Sequence, residues 1–436
     1  MKFGGTSMGS ADAMRKASAI VRSVDGEAIV VVSAVSGTTD ALIALGRAAV
    51  AGRDWKQKFE EIKGRHRAVA FELGIFENVF LGFHAQVEEI CRGVAMLGEL
   101  SPSTLDRLQS FGERMSATLF ADLLRREGAE AEEVDAFCVV ATDDLFGGAN
   151  VDFVTTRTRA ATVLLPLVEK GRTPVVTGYI GRSASGKYAT LGRGGSDYSA
   201  AIVAAAIDAS ELQIWTDVAG MFSADPRLVK SATAIPQLSF AEAGELAYFG
   251  AKVLHPKTIV PAVEKNIPVR ILDTFNPDQP GTLITNETRP SIKSVTSKKG
   301  ITVVSICSQG MLDAHGFLAR IFGAFAKHEV VVDVVSTSEV SVSVTVDRAV
   351  PQALIVDLRT FATVEVESGM AIVCLVGEGI RTQPDALARL FAAVGSVPVS
   401  MVSQGASKRN VTFAVAETDA DATVRRVYEA FFLGQS

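Results

Sequence analysis

Cysteine is scarce in this chain and never clustered. Cys91, Cys138, Cys307 and Cys374 form no Cys-x-x-Cys pair, which argues against zinc ligation and a disulfide scaffold and leaves buried free thiols in a reducing cytoplasm as the expectation. Charge of one sign is missing too. Lys and Arg number 43 against 49 Asp and Glu, a net charge of −6, with no basic cluster to hold nucleic acid or an anionic membrane, so a small molecule is the expected partner. Long apolar runs are absent: the longest weakly polar stretch, Tyr198 to Ile207, is far below the roughly 20 residues of a bilayer span. The first residues carry Lys2, Asp12, Arg15 and Lys16 without an apolar core and are not expected to act as a secretory signal.

What is present is apolar sequence in abundance. With 436 residues, 48% of them apolar, the chain can build two or three domains with real cores. To about residue 290, β-branched runs alternate with amphipathic stretches, the pattern of an α/β domain with a largely parallel sheet. Strands are expected at 28–33, 173–180, 212–216 and 269–272, and helices at 10–23, 55–73, 103–127 and 156–169. Between Pro277 and Pro290 the text turns to Asn, Asp, Pro, Gly and Thr, a turn-laden exit from the first domain. Beyond it the chain repeats itself. Phe317-Leu318-Ala319-Arg320-Ile321-Phe322 returns as Ala386-Leu387-Ala388-Arg389-Leu390-Phe391. Strand-like runs follow each copy, at 330–335 and 340–346 and then at 397–402 and 411–416, with a closing helix at 421–432. Two ferredoxin-like βαββαβ units fit this order.

Two catalytic spacings are set aside. Gly5-Thr6-Ser7-Met8-Gly9 matches a nucleophile elbow, but only four residues stand before it, where a strand and an earlier oxyanion-hole strand are required. Gly181 to Lys187 has Walker A spacing but continues with Tyr188 in place of Ser or Thr, so Ser185-Gly186 reads as a hairpin turn.

The chemistry gathers at polar junctions between strands and helices. Lys2-Phe3-Gly4-Gly5-Thr6-Ser7 combines glycines that let backbone N–H groups approach phosphate oxygens with a helix start and a lysine. Ser33 to Asp40 crowds hydroxyls at the carboxyl end of a buried strand, the usual ligand position in an open α/β sheet. Gly192-Arg193-Gly194-Gly195-Ser196-Asp197 places an arginine suited to bidentate carboxylate binding among glycines. Trp215-Thr216-Asp217 leads to Phe222 and Asp225-Pro226-Arg227, and Phe249-Gly250-Ala251-Lys252 runs on to His255-Pro256.

Taken in this order, these motifs resemble the aspartokinase family over essentially the whole chain, with paired ACT domains at the C-terminus. The resemblance implies an amino-acid-kinase open sheet sandwiched by helices over 1–290. Ferredoxin-like ACT domains would follow at 291–375 and 376–436, able to interlock, the second borrowing a strand from about 295–306. It implies ATP and Mg2+ as cofactors and phosphorylation of L-aspartate to 4-phospho-L-aspartate, the first step of lysine, threonine and methionine biosynthesis. Lys2 and Asp197 would be catalytic. Ser33, Thr39, Glu113, Arg193 and Ser196 would hold aspartate. Lys2, Gly4, Gly5, Thr216, Asp217, Phe222, Arg227 and Lys252 would line the ATP site, with no protein metal cage. Met311, Phe317, Leu318, Asp333, Ser338 and Glu339 would bind an amino-acid effector, lysine foremost, in a homodimer or dimer of dimers. Phe222 and Asp40 stand where relatives often have tyrosine and asparagine. Another amino-acid kinase, or an inactive amino-acid sensor, is the alternative; Glu113 and the paired ACT units disfavour the first, and Lys2, Arg193 and Asp197 together the second.

Overall fold

The computed structural model describes residues 1–24, 26–250, 254–287, 289–308 and 315–433. They form two compact units, Met1–Met221 with His255–Asn286, and Phe222–Leu254 with Glu287–Ser436. The expected cut at 290 is thus corrected in one respect: the insertion Phe222–Leu254 groups with the C-terminal unit. Its reason is packing, for Ala224 and Val229 share a core with Val295, Val373 and Val424.

In the first unit the sheet runs in the order Ala131–Val134, Thr173–Thr177, Val30–Val32, Lys2–Phe3, Leu212–Thr216, Val269–Asp273 and Thr282–Thr285. All pairings are parallel except the last. Such strands are covered on both faces, which explains continuous runs such as Val30-Val31-Val32. Lys2–Phe3 lies centrally, hydrogen-bonded on both sides, so its lysine is held by two neighbours. The sheet is built outward from this strand in both directions, first to Val30–Val32 on one side and later in the chain to Leu212–Thr216 on the other. That reversal opens a crevice at the carboxyl ends. The helices Ala11–Arg22, Thr38–Val50, Trp55–Glu72, Leu81–Leu97 and Pro102–Arg126 supply most of one large core with Phe3, Phe111 and Phe120. Ser10 and Ser101 accept from Ala13 N and Thr104 N and cap their helices.

Two expected elements of this unit differ. The helix expected over 156–169 is two, Phe153–Val163 and Leu165–Glu169, because Pro166 cannot continue a helix that precedes it. The strand expected over 173–180 stops at Thr177, since Tyr179 takes φ of +69° and re-enters a hairpin, Ile180–Arg182 with Tyr188–Thr190. Gly186, with φ of +76°, makes the turn of that hairpin. Among the described residues no helix is long and apolar enough to cross a membrane.

In the second unit a sheet is built on two long antiparallel strands, Ser291–Cys307 and Thr363–Glu378. Each serves both repeats. Ile301–Cys307 lies beside Ser341–Val346 and the helices Phe317–Lys327 and Gln352–Arg359, whose core is Val304, Ile306, Ile321, Phe325, Leu354 and Leu358. The other half, 291–299, faces 370–378, which in turn pairs with Asn410–Ala416 beside Met401–Gln404. Gly300 and Gly369, at φ of +74° and +72°, sit where the register shifts between the halves. The second repeat therefore takes its extra strand from 291–299, upstream of the expected 295–306. Strands expected at 330–335 and 397–402 begin later, at Val335 and Met401; Val330 and Val334 are instead buried in the first repeat. The closing helix begins earlier, at Glu417.

Candidate active site

The central parallel strands of the first sheet end in loops of small or polar residues at the crevice. After Lys2–Phe3, Gly4 N donates to the Trp215 carbonyl at 3.1 Å and Ser7 Oγ lies 2.7 Å from Thr274 Oγ1, tying the glycine loop to its neighbours. A Cβ on Gly4 would come 3.4 Å from Lys2 Nζ and one on Gly5 3.6 Å from the Ala34 carbonyl. The protein itself therefore leaves room for a Cβ at both positions. The helix Ala11–Arg22 follows, so the loop ends at a partial positive charge.

Lys2 Nζ lies 2.6 Å from Asp197 Oδ1, with the side chains 9% and 18% exposed. Asp197 reaches it from the first turn of Gly195–Ala206, a helix whose start is pinned closely. A Cβ on Gly178 would come 2.8 Å from Ser196 Oγ and 2.9 Å from the Val32 carbonyl. One on Gly195 would meet the Tyr179 ring at 2.4 Å. Two residues distant in sequence are thus brought into one ion pair at the centre of the crevice. Arg193, two residues before the helix, is exposed and makes no ion pair among the described residues.

Glu113 projects from Pro102–Arg126 to the carboxyl end of Val30–Val32. It is 3% exposed; Ala34 N donates to Oε1 at 3.3 Å, while Oε2 has no partner. Burial pushes its carboxyl up to about 8, against which the Ala34 bond works. Such a group lacks a cation. Ser33, whose N donates to the Phe3 carbonyl at 3.1 Å, and Thr39, in the first turn of Thr38–Val50, are half-buried at the same strand end.

Thr216 ends its strand and donates to Asp217 Oδ1 at 3.1 Å. Phe222 and Arg227 belong to the second unit, where the Arg227 guanidinium grips the Asp225 carboxylate at 2.7 Å. Lys252 lies outside the described residues.

Among the proposed effector contacts, Met311 also lies outside the described residues. Phe317 and Leu318 open the helix Phe317–Lys327 behind Gly316. Asp333 is not free: its carboxylate accepts from Tyr248 Oη and from Lys298 Nζ, the latter at 3.0 Å. Ser338 holds a hairpin turn, its Oγ 2.7 Å from Ser341 Oγ. Glu339 is exposed beside it.

Sequence reasoning missed two buried supports of the loop that carries Arg193. Asp106 accepts from Gly147 N, Thr190 N and Thr190 Oγ1. Gln109 Nε2 donates to Tyr179 Oη at 3.0 Å. Their one sequence signal is weak: polar residues on the apolar face of a long helix.

The chain has counterparts among known proteins. The model of the amino acid kinase family matches residues 1–273, and that of the ACT domain residues 304–352 and 373–431. Lysine-sensitive aspartokinase 3 of Escherichia coli (strain K12) is 37% identical over 447 residues, covering 99% of this chain and 98% of that protein. Crystal structures of E. coli aspartokinase III, with aspartate and ADP in the R-state and with lysine and aspartate in the T-state, superpose with TM-scores of 0.82 and 0.84. They are 36% and 37% identical to this chain; each comparison covers 99% of it, and 99% and 98% of the solved chains. With kinase fold, ACT pair and near full-length identity in agreement, this chain belongs to the aspartokinase family.

Proposed function

We propose that this chain transfers the γ-phosphoryl group of ATP to the side-chain carboxylate of L-aspartate, forming 4-phospho-L-aspartate and ADP, at the head of lysine, threonine and methionine biosynthesis. The observation that carries the reading is the Lys2–Asp197 ion pair at the carboxyl edge of the sheet. An aspartate carboxylate is already ionised and nucleophilic, so transfer needs alignment and charge neutralisation more than a strong base. Asp197 holds Lys2 in one place, and the ammonium then faces the transferred phosphoryl group without reorganising. The amides of Gly4 and Gly5 take the phosphates, with Thr216 and Asp217 about the nucleotide.

Glu113 presents its unpartnered Oε2 to the ammonium of aspartate. Ser33, Thr39 and Ser196 bind the same substrate, and Arg193 forks on a carboxylate. Mg2+ fits this donor set as the companion of ATP. Among the described residues no three His, Cys, Asp or Glu side chains converge as a cage, and magnesium commonly rides on phosphates, water and one or two carboxylates. When bound, it supplies positive charge to the phosphates. We place the enzyme in the cytoplasm, where its unpaired cysteines remain reduced, and assign it a homodimer or dimer of dimers through the ACT units, with lysine as feedback effector.

A coupled ADP-release assay with Mg2+ and ATP, offering aspartate, glutamate and N-acetylglutamate, tests the reading. Turnover with aspartate alone is expected. Preference for either other acceptor, or no turnover with aspartate, overturns it.

A further inference from the structure

We infer that Asp106 is a positioning residue for substrate carboxylate binding: from inside the long helix it fixes the loop that presents Arg193. The inference rests on the proposed contact between Arg193 and aspartate.

Asp106 is 1% exposed, one turn into Pro102–Arg126 and two turns before Glu113 on a similar face of the helix. Its Oδ2 accepts from Gly147 N at 2.9 Å and from Thr190 N at 2.7 Å, and its Oδ1 from Thr190 Oγ1 at 3.0 Å. Burial of a carboxylate is unfavourable unless its oxygens are occupied, and here three donors converge on them. Two of those donors are the backbone and hydroxyl of Thr190, which is followed by Leu191 and then by Gly192-Arg193-Gly194. The third, Gly147, is in the loop against which Gly192 packs: a Cβ on Gly192 would come 3.4 Å from the Gly147 carbonyl. Ala149 N donates to the Thr190 carbonyl at 2.9 Å and joins the two segments again.

The far side of the loop is seated on the same helix. Gln109 Nε2 donates to Tyr179 Oη, Tyr179 N donates to Ser199 Oγ at 2.8 Å, and the Tyr179 ring packs under Gly195. Leu191 N donates to the Tyr179 carbonyl at 2.9 Å. Arg193 is therefore carried on a span whose two ends are anchored to one rigid helix, which also supplies Glu113. An exposed arginine with no partner among the described residues keeps a usable direction only if its backbone is held this way. Removing the Asp106 carboxylate strands two backbone donors and loosens the end next to Arg193, whereas Asn can keep all three bonds, its amide donating to a turned Thr190 hydroxyl.

The test is steady-state kinetics of Asp106→Ala, Asp106→Asn and Thr190→Val in otherwise native full-length enzyme, each also made in an Arg193→Lys background. For Asp106→Ala a rise of about tenfold in KM for aspartate is expected, since misplacing a binding group by an ångström costs that much or more; KM for ATP should move less than twofold. Asp106→Asn should restore the native KM, and Asp106→Ala should add nothing once Arg193 is Lys. An unchanged aspartate KM in Asp106→Ala, an equal rise for ATP, or a full additional loss in the Arg193→Lys background overturns the inference. If Asp106→Ala does not accumulate folded, Thr190→Val decides, with a severalfold rise expected and no change overturning. The underlying reading fails separately: Arg193→Lys with native aspartate KM removes the substrate placement, whereas Arg193→Lys impaired beside an unaffected Asp106→Ala removes only the present inference.

Discussion

A lysine deprived of its carboxylate keeps its charge and loses its fixed direction. Asp197→Ala is therefore expected to lower kcat on the order of 10²-fold or more, the usual cost of one preorganised charged group, with the melting temperature little changed. A helix-start role alone would move the melting temperature and spare kcat, so kinetics beside thermal melts separate the two. Glu113 makes a second prediction at this scale. Its folded pKa is raised to about 8, so below that pH the free enzyme holds it neutral and must release its proton to pair with an ammonium. KM for aspartate should fall as pH rises from 6.5 to 8, by up to about tenfold per unit, and level off above; Glu113→Gln should abolish the slope. The same sign applies to folding. A carboxyl whose pKa rises on folding stabilises least when ionised, so the unliganded protein should lose stability between pH 4.5 and 8 relative to Glu113→Gln, as read by denaturant titration.

Two helices carry consequences of their own. Trp55–Glu72 buries His66 completely, with Nδ1 2.9 Å from the Ile62 carbonyl and Nε2 unpartnered near Phe80 and His84. Burial pulls its pKa down to about 4. The imidazole folds neutral, so the unfolded chain binds the extra proton, and stability should drop as pH falls from 6.5 towards 4. The loss attributable to this group is on the order of 3 kcal/mol, measurable as the difference from His66→Phe in melts across that range. Phe240–Phe249 is docked within the second unit by Tyr248 on Asp333, by Glu242 Oε1 accepting Glu378 N at 2.8 Å and by Asn410 Nδ2 donating to Glu245 at 2.6 Å. An effector ammonium that used Asp333 would have to compete with Lys298. Lys298→Met is thus expected to lower the half-inhibiting lysine concentration severalfold; an unchanged value would place the effector elsewhere. The helices Ala11–Arg22, Trp55–Glu72 and Pro102–Arg126 were readable from periodicity and caps, whereas Thr38–Val50 and Leu81–Leu97 were not singled out. That 156–169 breaks at Pro166, and that 173–180 ends at Tyr179, follow from one proline and one left-handed residue whose effects outweigh β-branched or amphipathic patterning.

For the molecule as a whole, the proposed regulation predicts inhibition of the aspartate-dependent rate by millimolar lysine, with threonine as the control, and an ACT-mediated dimer by sedimentation. Activity indifferent to lysine would remove the effector assignment and leave the kinase reading standing. The sharing of Ser291–Cys307 between both repeats makes the two ACT halves one folding entity, because neither has a complete sheet without the other's strand.

The sequence by itself determined the kinds of element, their order, the glycine and hydroxyl junctions at strand ends and the repeated helix of the second unit, because these are written in local periodicity and turn chemistry. Only the tertiary structure decided that Lys2 meets Asp197, that Glu113 is buried with one oxygen unpaired, that Asp333 is already engaged and that 222–254 joins the C-terminal unit. Asp106 shows why: its partners are 41 and 84 residues away along the chain. Burial and pairing are properties of surroundings assembled from distant segments, and no local pattern carries them.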